Sequence, residues 1–429
     1  MVLILDRVKN APKLLIKEIA AETNALISSG APILNLSQGA PNLPIFETAR
    51  SAVIEVLESR QLPYTEVAGE KRVRQTCANF LNRIVLDGER DLFNANHICV
   101  TNGAVGAVYT SLAIQISCPK DIVVSPLPCY GLYNSDTNLL GGTFVSLEVG
   151  TPDDGFALTP TNIRDAFKKY GEKLRCLILC CPNNPTGRCL SDAEAKLLAK
   201  ELDEQLKVFP DFSLLLDEVY TGIGSSHNSI LKYASQKLQK SCLITVSASK
   251  GLGGAPGARA GFVAAADESL VSQLVKIQMA IGANVSIPSQ RILSASLEHV
   301  LSNPDVVLGS VSKFYQERTD FVCSRLERMG EKYVGERYAF CPRKSDGTFY
   351  VLARFECLGG TDLEVQRLLR DAYQEGDADY GVAVVPLSAF DMDEKMCMVR
   401  ICCAVDIDIL DKALETVEAV ISRSLSVKI

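Results

Sequence analysis

Between about residues 95 and 265 the chain alternates short apolar runs with longer stretches of helical periodicity, and this alternation constrains the fold more than any other feature. The apolar runs fall at 97–100, 121–124, 177–180, 212–216, 243–246 and 261–264. Several are continuous rather than alternating, as expected of strands buried on both faces of a mostly parallel sheet. Helical patterns lie between them, at 191–206 and 229–240 among others. The pattern predicts an α/β layered domain, in which ligands gather at the carboxyl ends of the strands. After about residue 300 the texture changes. A helical stretch at 307–329, strand-like 348–352, a helix at 361–373, strands at 382–385 and 398–402 and a last helix predict a smaller α+β part. The expected division is a large domain at 45–300 and a small one built from 1–44 and 301–429.

Composition narrows the function classes. The 429 residues are 47% hydrophobic and 22% charged, ordinary for a globular protein. A formal net charge of -7 argues against a nucleic-acid-binding surface. No apolar run reaches the length of a transmembrane helix. Asp6 and Arg7 interrupt the apolar N-terminus, which breaks a signal-peptide core. Fifteen cysteines are scattered through apolar runs without a CxxC pair, and the only histidines are His97, His227 and His299. These features predict buried, reduced thiols, a cytoplasmic location and no metal site.

The chemistry-bearing residues sit at the ends of the predicted strands. Lys250 follows the run at 243–246 in Ser-Ala-Ser-Lys-Gly, and a Gly-rich loop leads from it to Arg259. A lysine set among small residues, with Ser247 and a guanidinium at hand, suits an amine that must form a Schiff base with an aldehyde while a phosphate is held nearby; pyridoxal phosphate supplies both groups. A surface lysine before a flexible loop fits the same run. Asp217 opens Asp-Glu-Val-Tyr after the run at 212–216. Its carboxylate could pair with a pyridine nitrogen and Tyr220 could reach the phenolic oxygen; the same aspartate could also cap the next segment. Cys-Pro-Asn-Asn-Pro-Thr-Gly at 181–187 forms a rigid turn whose Asn184 could donate to that oxygen. Gly103, Ala104 and Val105 open a helix after the first strand, where free N–H groups favour a phosphate. Tyr130, at another strand end, could stack on the cofactor ring or belong to the core. Arg400 is centred in an apolar strand, costly unless paired either with a substrate carboxylate or with an acid of the protein.

Taken in order, from Gly39 to Arg400, these segments resemble the class I/II aminotransferase family, the fold-type I pyridoxal-phosphate-dependent enzymes. The resemblance implies a large domain with a mostly parallel central sheet flanked by helices, and a smaller α+β domain. It implies that the Gly39 backbone lies beside the substrate carboxylate. It implies further that Tyr64, in Tyr-Thr-Glu-Val-Ala-Gly, reaches the phosphate of a neighbouring subunit, hence a homodimer with shared active sites. Gly103, Ala104, Val105, Tyr130, Asn184, Asp217, Tyr220, Ser247, Lys250 and Arg259 match the cofactor positions, and Arg400 with Asn184 the substrate positions. The expected function is pyridoxal-phosphate-dependent transfer of an amino group from an L-amino acid to a 2-oxo acid through a Lys250 Schiff base, with Lys250, Asp217 and Tyr220 catalytic. A lyase or synthase of the same fold, performing β-elimination or aminocyclopropane-carboxylate-synthase-like cyclisation, would use the same residues. Three departures stand out. The Lys250-to-Arg259 spacing is one residue longer than usual, as in the alanine-aminotransferase-like branch. Leu387 stands where the family usually has glycine. Between Arg259 and Arg291 there is no arginine, so the segment where aspartate-type enzymes bind a second carboxylate offers only Lys276.

Overall fold

The computed structural model describes residues 4–426 apart from 10, 89, 225–227 and 377; His227 therefore lies outside the described residues, as do Met1, Val2 and Leu3 of the N-terminal run. Twelve strands are found among the described residues. They are β1 (Ile33–Asn35), β2 (Ile98–Asn102), β3 (Ile122–Pro126), β4 (Thr143–Leu147), β5 (Leu174–Cys180), β6 (Ser213–Asp217), β7 (Cys242–Ser247), β8 (Ala260–Ala265), β9 (Tyr350–Arg354), β10 (Gly381–Ala383), β11 (Val385–Pro386) and β12 (Met398–Cys402).

Seven of them form one sheet in the order β2-β8-β7-β6-β5-β3-β4, parallel throughout except for β8, which runs against both neighbours. Successive residues point to opposite faces, and both faces are covered. Leu214 and Leu216 of β6 join one core cluster, while Leu215 joins the other; Ile244 and Val246 of β7 face the first and Leu243 the second. That double burial is why these runs are continuously apolar. The helices obey local signals. Asp192–Val208 begins at a capping box in which the Ser191 side chain accepts from the Glu194 N–H while the Glu194 carboxylate accepts from the Ser191 N–H. Its buried Ala195, Leu198, Ala199, Leu202 and Leu206 repeat at the helical period.

Two smaller sheets follow. β11, β12 and β9 are antiparallel, with Arg400 opposite Leu352 and Val385. β1 pairs with β10 in parallel, Ile33 beside Gly381. The chain leaving β1 continues along this region: the Leu36 N–H donates to Ala383 and the Leu36 carbonyl accepts from Cys402, both at 2.9 Å. Residues 37–39 are thereby held beside β12.

Three expectations need correction. The predicted helix at 229–240 is two short pieces, Ile230–Lys232 and Gln236–Lys240, because Ser235 caps a new start by accepting from the Leu238 N–H. The predicted strand at 382–385 divides between β10 and β11, which belong to different sheets. β1 and β4 were not anticipated: β1 is only three residues long, and β4, on the sheet edge, is half-exposed and mixed in composition. None of the fifteen cysteines forms a disulfide; Cys118, Cys181 and Cys357 are half-buried and the others buried. Among the described residues no helix is long and apolar enough to cross a membrane.

Candidate active site

The carboxyl edge of the large sheet faces residues 37–39, β9 and β12 across an open cavity of about 840 Å³. Gly39, Ala104, Val105, Tyr130, Asn184, Asp217, Tyr220, Ser247, Lys250, Arg259 and Arg400 all line it. Topology explains the convergence. Asp217 ends β6, Lys250 lies just past β7, Asn184 past β5, Tyr130 past β3 and Ala104 past β2. Arg259 immediately precedes β8, and because β8 is the reversed strand its beginning falls at the same edge.

Asp217 is buried, and its two oxygens differ. Oδ2 accepts from the Tyr133 hydroxyl at 2.6 Å, whereas Oδ1 has no hydrogen-bond partner. Burial pushes the carboxyl up to about 6, against the opposing pull of the Tyr133 hydroxyl and the Val219 N–H. The Lys250 ammonium donates to the Gly39 carbonyl and lies 5.6 Å from the centre of the Tyr220 ring. Desolvation draws its pKa down to about 8, assisted by the charges of Arg400 and Lys17. The Tyr220 hydroxyl hydrogen-bonds Tyr350 at 2.9 Å.

Arg400 is 2% exposed. It donates from Nη1 to Asn184 Oδ1 at 2.9 Å and from Nη2 to the Ser37 carbonyl at 2.7 Å, and its guanidinium lies 4.2 Å from the Tyr350 ring centre. Its Nε has no partner, and among the described residues no carboxylate pairs with it. Among the described residues the salt-bridge alternative for Arg400 therefore has no acid to supply it. Because arginine only donates, Asn184 must turn Oδ1 toward it, and the amide NH2 points away.

The turn into the helix Gly103–Ala113 is built for a close neighbour. Gly103 has φ +72, and a Cβ there would sit 2.8 Å from the Arg259 guanidinium. Gly261 of β8 is equally constrained, since a Cβ would come 3.0 Å from the Ala104 nitrogen. The long loop before Arg259 thus still delivers the guanidinium to this turn, where Nη2 donates to the Asn102 carbonyl at 3.4 Å. Gly103 itself lies beneath Arg259 rather than on the cavity wall. The Ser247 hydroxyl is buried and accepts from the Ser249 N–H at 3.3 Å.

Several residues singled out in the sequence lie outside this cavity. Tyr64 is 94% exposed and outside the cavity of its own chain. Lys276 bonds Gln273 on its own helix and does not line the cavity. Arg291 is occupied by Glu70 in a two-pronged ion pair at 2.6 and 3.1 Å. Leu387 is fully buried against Val385 and Phe390. Sequence reasoning missed Tyr133 and Tyr350. Tyr133 lies three residues past Tyr130 and follows the same strand end; Tyr350 adjoins Phe349 in an apolar strand and carries no chemical signature.

A known family matches most of the chain. The model of aminotransferase class I and II matches residues 31–417. This chain belongs to the class I and II aminotransferase family. It is an aminotransferase, and its fold agrees with solved members. The aspartate aminotransferase of Thermus thermophilus with maleate superposes at a TM-score of 0.83 with 22% identity, covering 98% of this chain and all of that one. That of Thermotoga maritima gives 0.81 with 23% identity over 97% and 99%. Among curated proteins, the aspartate aminotransferase of Pinus pinaster is 28% identical over 92% of this chain and 76% of its own length. A probable N-acetyl-LL-diaminopimelate aminotransferase of Bacillus subtilis is also 28% identical, over 92% and 90%.

Proposed function

We propose that this aminotransferase uses pyridoxal 5'-phosphate to move an amino group from an L-amino acid to a 2-oxo acid, with Lys250 as its covalent anchor and proton carrier. The observation that carries this reading is the pairing, in one cavity, of a desolvated Lys250 with the partnerless Oδ1 of Asp217. A buried carboxylate oxygen without a donor is costly unless a ligand supplies one, and a ring N–H would do so. The fit extends to the other groups. The phosphate matches the Gly103, Ala104 and Val105 turn with Ser247 and Arg259, and the ring matches Tyr130. The phenolic oxygen matches Tyr220 and the outward amide of Asn184.

When bound, the cofactor withdraws electrons from the substrate's α-carbon and makes its proton acidic. Arg400 would grip the α-carboxylate with its donor fork, beside the Gly39 backbone, and so orient the α-carbon toward Lys250. With a pKa near 8, the Lys250 amine is readily freed of its proton and can accept the one from the α-carbon. Asp217, held by Tyr133, keeps the ring nitrogen protonated.

Tyr64 would serve the phosphate of a second copy, which accounts for an aromatic side chain so fully exposed; the working unit would be a homodimer in the cytoplasm. Residues 45–300 would form the cofactor-binding domain and 1–44 with 301–429 the smaller one. Most of the relatives' names print aspartate, one of them adds glutamate/aspartate-prephenate and another prints N-acetyl-LL-diaminopimelate, so likeness alone assigns no substrate.

The test is a visible-absorbance titration of the cofactor-loaded protein with L-amino acids. Loss of the cofactor band with a productive donor, and its return on adding a 2-oxo acid, is the expected result. Release of ammonia without an acceptor would replace this reading with the lyase one.

A further inference from the structure

The segment that carries Tyr64 is fixed from beneath. Residues 61–66 belong to neither helix nor strand, yet their exposure alternates: Tyr64 and Glu66 are exposed, and Thr65 between them is half-buried. Thr65 turns its hydroxyl toward Gln290, a fully buried side chain near the start of the helix Ile287–Ser302. Gln290 Nε2 donates to Thr65 Oγ1 at 3.0 Å and to the Val285 carbonyl at 2.8 Å, while its Oε1 accepts from the Glu70 N–H at 2.8 Å. Both amide hydrogens are thus used, and together with the oxygen they leave the side chain one orientation.

The next residues are tied to the same frame. The Ala68 carbonyl accepts from the Val100 N–H of β2 at 2.9 Å. Arg74 donates to the Gly69 carbonyl at 2.9 Å, and Arg291 holds Glu70 in the two-pronged ion pair described above. Gly69 has φ +96 and lies so close to β2 that a Cβ there would come 2.4 Å from a Val100 methyl. Arg74 also pairs with Glu66 at 2.5 Å, but on an exposed carboxylate. Gln290 carries the buried frame on to Thr65, the residue beside Tyr64. Its neighbour Ser289 donates to the Ala258 carbonyl at 2.7 Å, so the start of the helix stays tied to the loop before Arg259 independently of Gln290.

We infer that Gln290 is a positioning residue for the other subunit's site: by holding Thr65 it aims Tyr64 at the phosphate bound by a second copy. The inference rests on the reading of Tyr64 given above. An exposed side chain that must meet a ligand on another molecule gains from a backbone fixed in advance, because less freedom is lost on binding. Gln290 does not line the cavity of its own chain. Its effect on the cofactor therefore falls one subunit away from the substitution.

Hybrid dimers, assembled from differently tagged full-length chains and titrated with pyridoxal phosphate, test this. Lys250→Ala silences one site, so absorbance from cofactor joined to Lys250 reports the other site alone. In the first hybrid one chain carries Gln290→Leu and the other Lys250→Ala. The reporting site then receives Tyr64 from the chain with Gln290 intact, and undiminished affinity is expected. In the second hybrid one chain carries both substitutions and the other neither. The reporting site now receives Tyr64 from the doubly substituted chain, and affinity should fall about tenfold, near the lower limit for losing a hydrogen bond to a charged group. Loss in the first hybrid, or none in the second, would overturn the assignment to Gln290. Thr65→Val removes the same contact at a half-buried position and should give the same pattern; it takes the place of Gln290→Leu if that variant does not fold, and Thr65→Ser should keep full affinity. Tyr64→Phe in the same two arrangements separates the levels of the argument. If it acts across subunits while Gln290→Leu and Thr65→Val do not, the reading of Tyr64 stands and the Gln290 one falls. If it acts within its own chain or not at all, or if no hybrid dimer forms, the reading of Tyr64 falls and the inference falls with it.

Discussion

The two walls of the cavity are held in place differently. One is the carboxyl edge of the seven-stranded sheet, where Asp217, Lys250, Asn184 and Arg259 sit at or just beyond the ends of strands buried on both faces. The other combines a helix, the extended segment 37–39 and two residues within antiparallel strands, Tyr350 and Arg400. On the first wall each group depends on its own strand end, and all the strands share one edge. On the second, Arg400 depends on the register of three strands and on hydrogen bonds to Asn184 and Ser37. The first wall is suited to a resident group that never changes, and the second to a ligand that must enter and leave.

Substitutions can break this contrast, and the largest effect should come from the first wall. Lys250→Ala should abolish covalent retention of the cofactor on denaturing mass spectrometry and lower turnover by at least ~10³-fold, toward the upper range for loss of a positioned base. Full turnover would remove Lys250 from the chemistry.

Asp217→Asn should be nearly as damaging to turnover, yet it should stabilise the cofactor-free protein. The sign follows from the raised pKa: the folded state holds this proton more tightly than the unfolded state. Stability therefore falls as pH rises from the ordinary carboxylate value of 3.8 toward about 6, and the cost is fully present above that. Removing the charge should raise cofactor-free stability by on the order of 3 kcal/mol at neutral pH, read as a higher thermal midpoint, with no gain below pH 4. An equal or lower midpoint at neutral pH would mean that Oδ1 is better solvated than the geometry indicates.

On the second wall, Arg400→Leu should weaken amino acid binding by about 10²-fold, the cost of a charge-assisted fork, while the cofactor stays bound. Its thermal midpoint should change little or rise, since an unpaired buried cation contributes weakly to stability. Loss of cofactor together with substrate would mean that the walls are one unit. The smallest effect is expected for Tyr133→Phe. It deletes the donor to Asp217 Oδ2, so the aspartate's pKa should move further upward. Turnover should fall by a few-fold, with the acidic limb of the pH profile displaced to higher pH; a side chain that merely fills space would leave the limb where it is.

The same contrast explains what could be read in advance. Strand-end groups announce themselves, because an apolar run followed by Asp, by Asn-Pro-Thr-Gly or by Ser-x-Ser-Lys combines a positional signal with a chemical one. Arg400 was visible as an anomaly, a charge in an apolar strand, but its partners were not: Asn184 and Ser37 are 216 and 363 residues away. Tyr133 and Tyr350 resemble ordinary core aromatics in sequence and acquire roles only through what the fold sets opposite them. The helix at 229–240 misled because the periodicity spans a serine that starts a new helix.

The thiols give the molecule a built-in gauge of its own opening. Burial raises the pKa of Cys77, Cys99, Cys129, Cys176 and Cys242, among others, and so keeps them as unreactive thiols at neutral pH. These five lie beneath both faces of the large sheet, whereas Cys323, Cys341 and Cys403 lie in the core of the smaller sheets. Alkylation followed by peptide mapping would time, without any introduced probe, which part of the molecule comes apart first and whether the cofactor delays it.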